Sequence, residues 1–280
     1  MTQPTLFTGD VALREGAMNK RLGVIALGTD QVIEPTFARI FTGLPIDMFV
    51  NRIAYENPLM LENLAAMERD LDRCLGNILP ALDLDVVAFG CSSGTVAIGE
   101  QTLAERCRAI KPGVAVTNPV SAAVAAFTAL DAQHISILTP YSTAINEEIA
   151  AYFIAAGLDV LSLVGFGIDD DREIAHIDPA TIRRGAASAL HPEADALFLS
   201  CTALRAADEI VALERQFTRP VVTSNQALAW HALRLAGIDT PLAGYGCLFA
   251  QSLQAEAESR RQGSGVAAPA ASEASAFQSA

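Results

Sequence analysis

From Arg21 onward, short runs of Val, Ile and Leu alternate with longer stretches in which apolar residues return at helical spacing. Runs of the first kind suit strands buried on both faces, and stretches of the second kind suit the helices that cross over between parallel neighbours. The pattern predicts eight strands: 22–27, 46–53, 86–89, 114–117, 135–139, 160–164, 196–199 and 221–223. Helices are predicted over 59–78, 100–110, 120–130, 145–156, 179–190, 206–217 and 226–235. Pro119 and Pro179 fall where a first helical turn tolerates proline, and Gly157 and Gly237 fall where helices commonly stop. The fold class that follows is α/β with a parallel sheet.

The pattern also repeats. Asp85-Val-Val-Ala-Phe-Gly-Cys91 lines up with Asp195-Ala-Leu-Phe-Leu-Ser-Cys201 at an offset of 110 residues. Leu22-Gly-Val-Ile-Ala-Leu27 lines up with Ile135-Ser-Ile-Leu-Thr-Pro140, and Thr117-Asn118 with Ser224-Asn225, at offsets of 113 and 107. Chance likeness between strands is the competing explanation, and the shared Asp-to-Cys spacing weakens it. Duplication predicts two pseudo-symmetric, four-stranded Rossmann-like domains with a cleft between the carboxyl ends of their sheets, where open α/β sheets bind ligands. The expected division is an N-terminal segment over 1–19, a first domain over 20–118 and 226–249, a second over 119–225, and a disordered tail over 254–280. The tail is small and polar with no apolar period.

Composition narrows the function. Of 280 residues, 51% are hydrophobic, which excludes global disorder. With 32 acidic against 19 basic residues, the net charge of −13 argues against binding nucleic acid through phosphate neutralisation. Five scattered cysteines do not form a disulfide framework, the first twenty residues lack a secretory pattern, and no run is long enough to cross a membrane. A cytoplasmic protein with a small-molecule partner is expected, without membrane attachment, and homo-oligomerisation is left open.

No nucleotide-binding glycine motif is present, and neither the four histidines nor the cysteines have metal-ligand spacing. The run Asp169-Asp170-Asp171 reads as a solvated loop. What stands out is the pair Cys91 and Cys201, each closing a strand and each followed by a polar turn: Ser92-Ser93-Gly94-Thr95 in one case, Thr202-Ala203-Leu204-Arg205 in the other. A lone cysteine there reads as a small hydrophobe. Two at duplicated positions read as a reacting pair. A helix beginning at each turn is expected to lower the thiol pKa toward neutrality, while backbone N–H groups and the hydroxyls of Ser93, Thr95 and Thr202 cradle a carboxylate. Opposed thiols suit racemisation, in which one removes and the other delivers a proton, or reversible addition to a double bond followed by rotation. Neither needs a cofactor. A non-catalytic carboxylate-binding module is the alternative. Arg52 is a candidate carboxylate partner, and Asn118 and Asn225 are candidate helix caps.

Four segments carry a resemblance: Phe89-Gly-Cys-Ser-Ser-Gly-Thr95, Leu138-Thr-Pro-Tyr141, Leu199-Ser-Cys-Thr-Ala-Leu-Arg205 and Val222-Thr-Ser-Asn-Gln-Ala-Leu-Ala-Trp230. With these the chain resembles, over about 20–249, the aspartate/glutamate racemase superfamily, in particular its branch of maleate cis-trans isomerase, arylmalonate decarboxylase and the ectoine-utilization protein EutA. The resemblance implies a cofactor-independent enzyme in which Cys91 attacks, Cys201 serves the other face and Tyr141 contacts substrate. It gives as substrate-binding candidates Asp30, Gln31, Ser92, Ser93, Gly94, Thr95, Tyr141, Thr202 and Ala203, with no metal ligand. The decarboxylase has glycine for the first cysteine, so a chain with both points to isomerisation or racemisation. Two asparagines of maleate isomerases are replaced within Gly28-Thr-Asp-Gln31 and Gly165-Phe-Gly-Ile-Asp-Asp-Asp171, and the resulting carboxylate of Asp30 or Asp169 favours a substrate with an ammonium group.

Overall fold

The computed structural model describes residues 5–12 and 19–253. The expected N-terminal segment is thus described in part and has no helix or strand there, and the expected tail over 254–280 lies outside the described residues. All eight predicted runs are strands. β1 (Lys20–Leu27), β2 (Ile46–Ile53), β3 (Val86–Gly90) and β4 (Ala115–Thr117) form one parallel sheet in the order β2-β1-β3-β4. β5 (His134–Thr139), β6 (Asp159–Gly165), β7 (Ala196–Leu199) and β8 (Val221–Thr223) form a second in the matching order β6-β5-β7-β8. Identical strand order in two halves bears out the duplication. The central strands β3 and β7 are buried along their whole length, as their unbroken apolar sequences require.

The repeated aspartate has a structural job. Asp85 accepts the Arg21 backbone N–H at 2.8 Å, and Asp195 accepts those of Gln133 and His134 at 3.0 and 2.7 Å. Each carboxylate thereby ties the start of its sheet's first strand to the start of the third.

Helices α1 (Ile33–Ile40), α2 (Leu61–Ala66), α3 (Leu71–Gly76), α4 (Ser92–Ile98), α5 (Glu100–Ile110), α6 (Pro119–Ala129), α7 (Thr143–Ala155), α8 (Asp171–Ile174), α9 (Pro179–Ala189), α10 (Ile210–Phe217) and α11 (Ser224–Leu235) cover the sheets. Pro119 and Pro179 occupy first turns, and Gly157 and Gly237 adopt the left-handed conformations expected past helix ends. Two expectations are corrected. The single helix over 59–78 is broken at a 3-10 turn, Met67–Asp70, where Asp70 clamps Arg73 through both carboxylate oxygens. The helix over 206–217 starts as a 3-10 turn, Arg205–Glu209, whose Asp208 and Glu209 reach sideways to Arg39 and Arg183. α11 follows the second sheet in sequence yet packs against α6, β3 and β4. Among the described residues no helix is long and apolar enough to cross a membrane.

Candidate active site

Matched strand ends bring matched chemistry to one place. β3 delivers Cys91 and β7 delivers Cys201; the loops after β1 and β6 deliver Asp30 and Asp171; those after β2 and β5 deliver Tyr55 and Tyr141. Each half therefore contributes one thiol, one carboxyl and one phenol, with the last two exchanged between the first and second strands of the halves.

Cys91 caps α4, its Sγ accepting the Gly94 N–H at 3.2 Å and lying 3.7 Å from Ser93 Oγ. A Cβ at Gly94 would stand 3.0 Å from that sulfur and 2.5 Å from Met67 Cε, so a side chain there would crowd the thiol. Cys201 lies on strained backbone with φ of +108°, a region that residues with a side chain rarely occupy. Its N–H donates to Ser224 Oγ at 2.9 Å, and Ser224 Oγ also meets Ser92 Oγ at 2.9 Å, so one hydroxyl joins the two cysteine turns. The buried Tyr141 phenol lies close to both thiols, whose charges, after burial itself, hold its pKa well above the ordinary value.

The expected thiolates are not the resting state. Cys91 and Cys201 are only 4% and 5% exposed. Burial pushes the Cys91 thiol up to about 12 and Cys201 well above its ordinary value, and the negative charges of Asp171 and Asp30 add to both effects. For Cys201 the helix is also missing from the turn, because α10 begins only at Ile210. Three hydroxyls of the two cysteine turns are engaged within the protein. Thr95 donates to the Cys91 carbonyl at 2.6 Å and Thr202 to the Gly90 carbonyl at 3.0 Å, while Ser92 is engaged by Ser224. Ser93 and Tyr141 are the hydroxyls that face the thiols. Ala203 is buried beside Thr202, whereas Gln31 is exposed and stands apart.

Asp30 is buried, with Oδ1 accepting the N–H groups of Val32 and Ile33 at 2.7 and 2.9 Å, and burial raises its pKa. The acidic run is not uniformly solvated. Asp169 is exposed, Asp170 pairs with Arg172, and Asp171 is buried, with its pKa raised to about 6, chiefly by burial and against the Thr29 hydroxyl that donates to it. The acid of this loop that lies near the two thiols is thus Asp171, while Asp169 is exposed. Asp171 and Tyr55 were both missed in the sequence; the match between the strand ends of the two halves was the signal that points to them. The loops carrying them are clasped: Leu59 N–H meets the Asp169 carbonyl at 2.7 Å, and Asn57 meets both the Asp170 carboxylate and the Asp171 N–H. Arg52 is occupied elsewhere, donating to the carbonyls of Leu27, Gly28 and Asp30 and pairing with Glu34. Arg205 donates to the Ala175 carbonyl. Asn118 caps α6, but Asn225 does not cap α11, where Thr223 does so; Asn225 instead donates to the Thr202 carbonyl at 2.7 Å.

Two like α/β halves closing over a pair of buried thiols define a protein of the aspartate/glutamate racemase superfamily. Within it the chain belongs to the arylmalonate decarboxylase family, whose model matches residues 100–249, more than half of the chain. It is 28% identical to the maleate isomerase of Nocardia farcinica over 198 residues, 68% of this chain and 78% of that protein. With the arylmalonate decarboxylase of Bordetella bronchiseptica it shares 32% identity over 143 residues, 50% of this chain and 60% of that one. A cysteine-to-serine mutant of the Nocardia farcinica maleate cis-trans isomerase, solved with a covalently bound succinylcysteine intermediate, has the same fold: its TM-score is 0.76 at 24% identity, covering 82% of this chain and 98% of that one. The resemblance drawn from the four sequence segments is borne out for the maleate isomerase and arylmalonate decarboxylase branch.

Proposed function

We propose that the chain is a cofactor-independent isomerase or racemase of a small carboxylate, with Cys91 and Cys201 as its reacting pair. The observation that supports this is the joining of the two cysteine turns at one hydroxyl: Ser224 Oγ accepts the Cys201 N–H at 2.9 Å and meets the Oγ of Ser92, next to Cys91, at 2.9 Å, with the buried Tyr141 phenol close to both thiols. Ser93 and Tyr141 are the donors for the substrate carboxylate. In racemisation one sulfur, as thiolate, takes the proton next to the carboxylate, and the other, as thiol, returns a proton to the opposite face; the two sulfurs then have exchanged states. In cis-trans isomerisation a sulfur–carbon bond forms at one alkene carbon, the electron pair moves into the carboxylate, the new single bond rotates, and the sulfur leaves. The succinylcysteine of the Nocardia relative supports the second course. A substrate from ectoine breakdown follows from the resemblance of the four sequence segments to the ectoine-utilization group, and five free cysteines support a cytoplasmic location.

The test is turnover in D₂O, followed by proton NMR, with maleate and with α-amino acids. Cys91→Ala and Cys201→Ala are each expected to lose activity by about 10²-fold or more while keeping the wild-type circular dichroism. Full activity in either overturns the proposal. Label at the α-carbon of a recovered amino acid marks racemisation, and interconversion of maleate and fumarate marks covalent addition. The low exposure and protonated state of both thiols favour a second reading, a non-catalytic carboxylate sensor. That reading expects iodoacetamide to leave both cysteines unmodified near neutral pH, whether ligand is bound or not.

A further inference from the structure

Tyr141 stands just past the end of β5, after Pro140, which has no backbone N–H to give. Its main chain is held by two buried side chains, Thr139 from β5 and Asn146 from α7. Thr139 Oγ1 accepts the Tyr141 N–H at 3.1 Å and gives its own proton to Asn146 Oδ1 at 2.5 Å. Asn146 Nδ2 donates in turn to the Tyr141 carbonyl at 3.2 Å. One pair of side chains thus engages both polar groups of the Tyr141 backbone, and the carbonyl partner fixes which way the amide points.

The loop after β6 joins the same arrangement. Gly167 N–H meets the Tyr141 carbonyl at 3.3 Å, while Phe166 and Ile168 donate to the carbonyls of Thr139 and Pro140 at 3.0 and 2.8 Å. A Cβ on Gly165 would collide with Asn146 Nδ2 and with the Tyr141 carbonyl, so the end of β6 leaves room for the amide. The first half meets the same need with another residue. There Arg52, from β2, donates to the carbonyls of Leu27, Gly28 and Asp30 in the loop after β1. In each half one side chain gathers the carbonyl of a residue that lies near the thiols, Asp30 in one and Tyr141 in the other.

Apolar residues of the same volume would hold α7 against β5 about as well, because replacing both members of a buried hydrogen-bonded pair can be nearly neutral for stability. What only the polar pair supplies is the direction of the Tyr141 peptide.

We infer that Thr139 and Asn146 are positioning residues, which fix the Tyr141 peptide and with it the direction in which the phenol meets substrate and both sulfurs. The inference rests on the two-thiol reading, in which that phenol donates to the substrate carboxylate. Misplacing such a group by about 1 Å can cost on the order of 10²-fold in rate.

Fluorine NMR of the full chain labelled with 3-fluorotyrosine tests this without a ligand. The four tyrosines give four resonances, and that of Tyr141 is the one missing from Tyr141→Phe. In Asn146→Leu and in Thr139→Val the Tyr141 resonance is expected to move by more than those of the other three. Thr139→Ser, which restores the hydroxyl, should return it toward the wild-type position. A Tyr141 resonance that stays in place, or that moves no more than the others, overturns the inference; the two Thr139 variants decide alone if Asn146→Leu does not fold.

Turnover then separates positioning from packing. With the substrate that the D₂O experiment identifies, kcat/KM is expected to fall about 10- to 100-fold in Asn146→Leu. The double variant Asn146→Leu/Tyr141→Phe is expected to be no slower than Tyr141→Phe alone, because the amide acts through the phenol. Full turnover in Asn146→Leu, or losses that multiply in the double variant, overturns the inference. Full turnover in Cys91→Ala or Cys201→Ala overturns only the two-thiol reading, and the fluorine result, which needs no turnover, still decides whether the pair holds the phenol.

Discussion

Cys201 is held with φ at +108°, where a side chain costs about 1–3 kcal/mol. The strained position predicts an inverted substitution order: Cys201→Gly should be more stable than Cys201→Ala by about 1 kcal/mol in urea denaturation, opposite to the usual advantage of alanine. Asp171 makes a prediction through its proton. Its pKa is about 6 when folded, above the ordinary carboxylate value, so the folded chain holds that proton more tightly than the unfolded chain. The stability contributed is complete below the unfolded value and is lost as the pH rises through about 6. Asp171→Asn should therefore be more stable than wild type at pH 8, by on the order of 2–3 kcal/mol, and should show no gain at pH 4. The cysteines were legible from sequence because their spacing repeats. Asp171 was not, because three consecutive acids look alike until the chain path buries one of them and turns the other two to solvent and to Arg172.

Strand positions were readable because each strand is a short apolar run ended by Gly, Asn, Pro or a polar turn, and a buried parallel strand leaves no other trace. Helix continuity was less so. Apolar spacing persists across Met67–Asp70 and Arg205–Glu209, yet ion pairs and side-chain clamps there favour 3-10 turns over unbroken helix. Equivalent helix starts also diverged. Asn118 accepts the N–H groups of Val120 and Ser121 at 3.1 and 2.8 Å, while Asn225 holds the Thr202 carbonyl and leaves its Oδ1 without a partner. Asn118→Ala should cost about 1 kcal/mol of stability with little change in turnover. Asn225→Ala should lower turnover more than stability, since it frees the turn that carries Cys201. Equal losses of activity in the two variants, measured beside their thermal melts, would contradict this division.

Across the whole molecule, duplication supplied the architecture, and it also explains the site. Two copies of one strand order bring two of each functional group to the seam, and hydrogen bonds across it, Ser92 to Ser224 and Thr202 to Gly90, hold the cysteine turns together. What the sequence concealed was the electrostatics. A helix start suggested ionised thiols, but the closeness of the halves excludes water, and the buried aspartates raise the thiols further. The claim on which everything else depends is that both sulfurs border one small volume. Treatment of the full chain with 1,3-dichloroacetone at alkaline pH, followed by peptide mapping, measures this directly. The account predicts a single three-carbon bridge joining Cys91 to Cys201; separate monoadducts on the two cysteines, or a bridge to Cys74, Cys107 or Cys247, would contradict it.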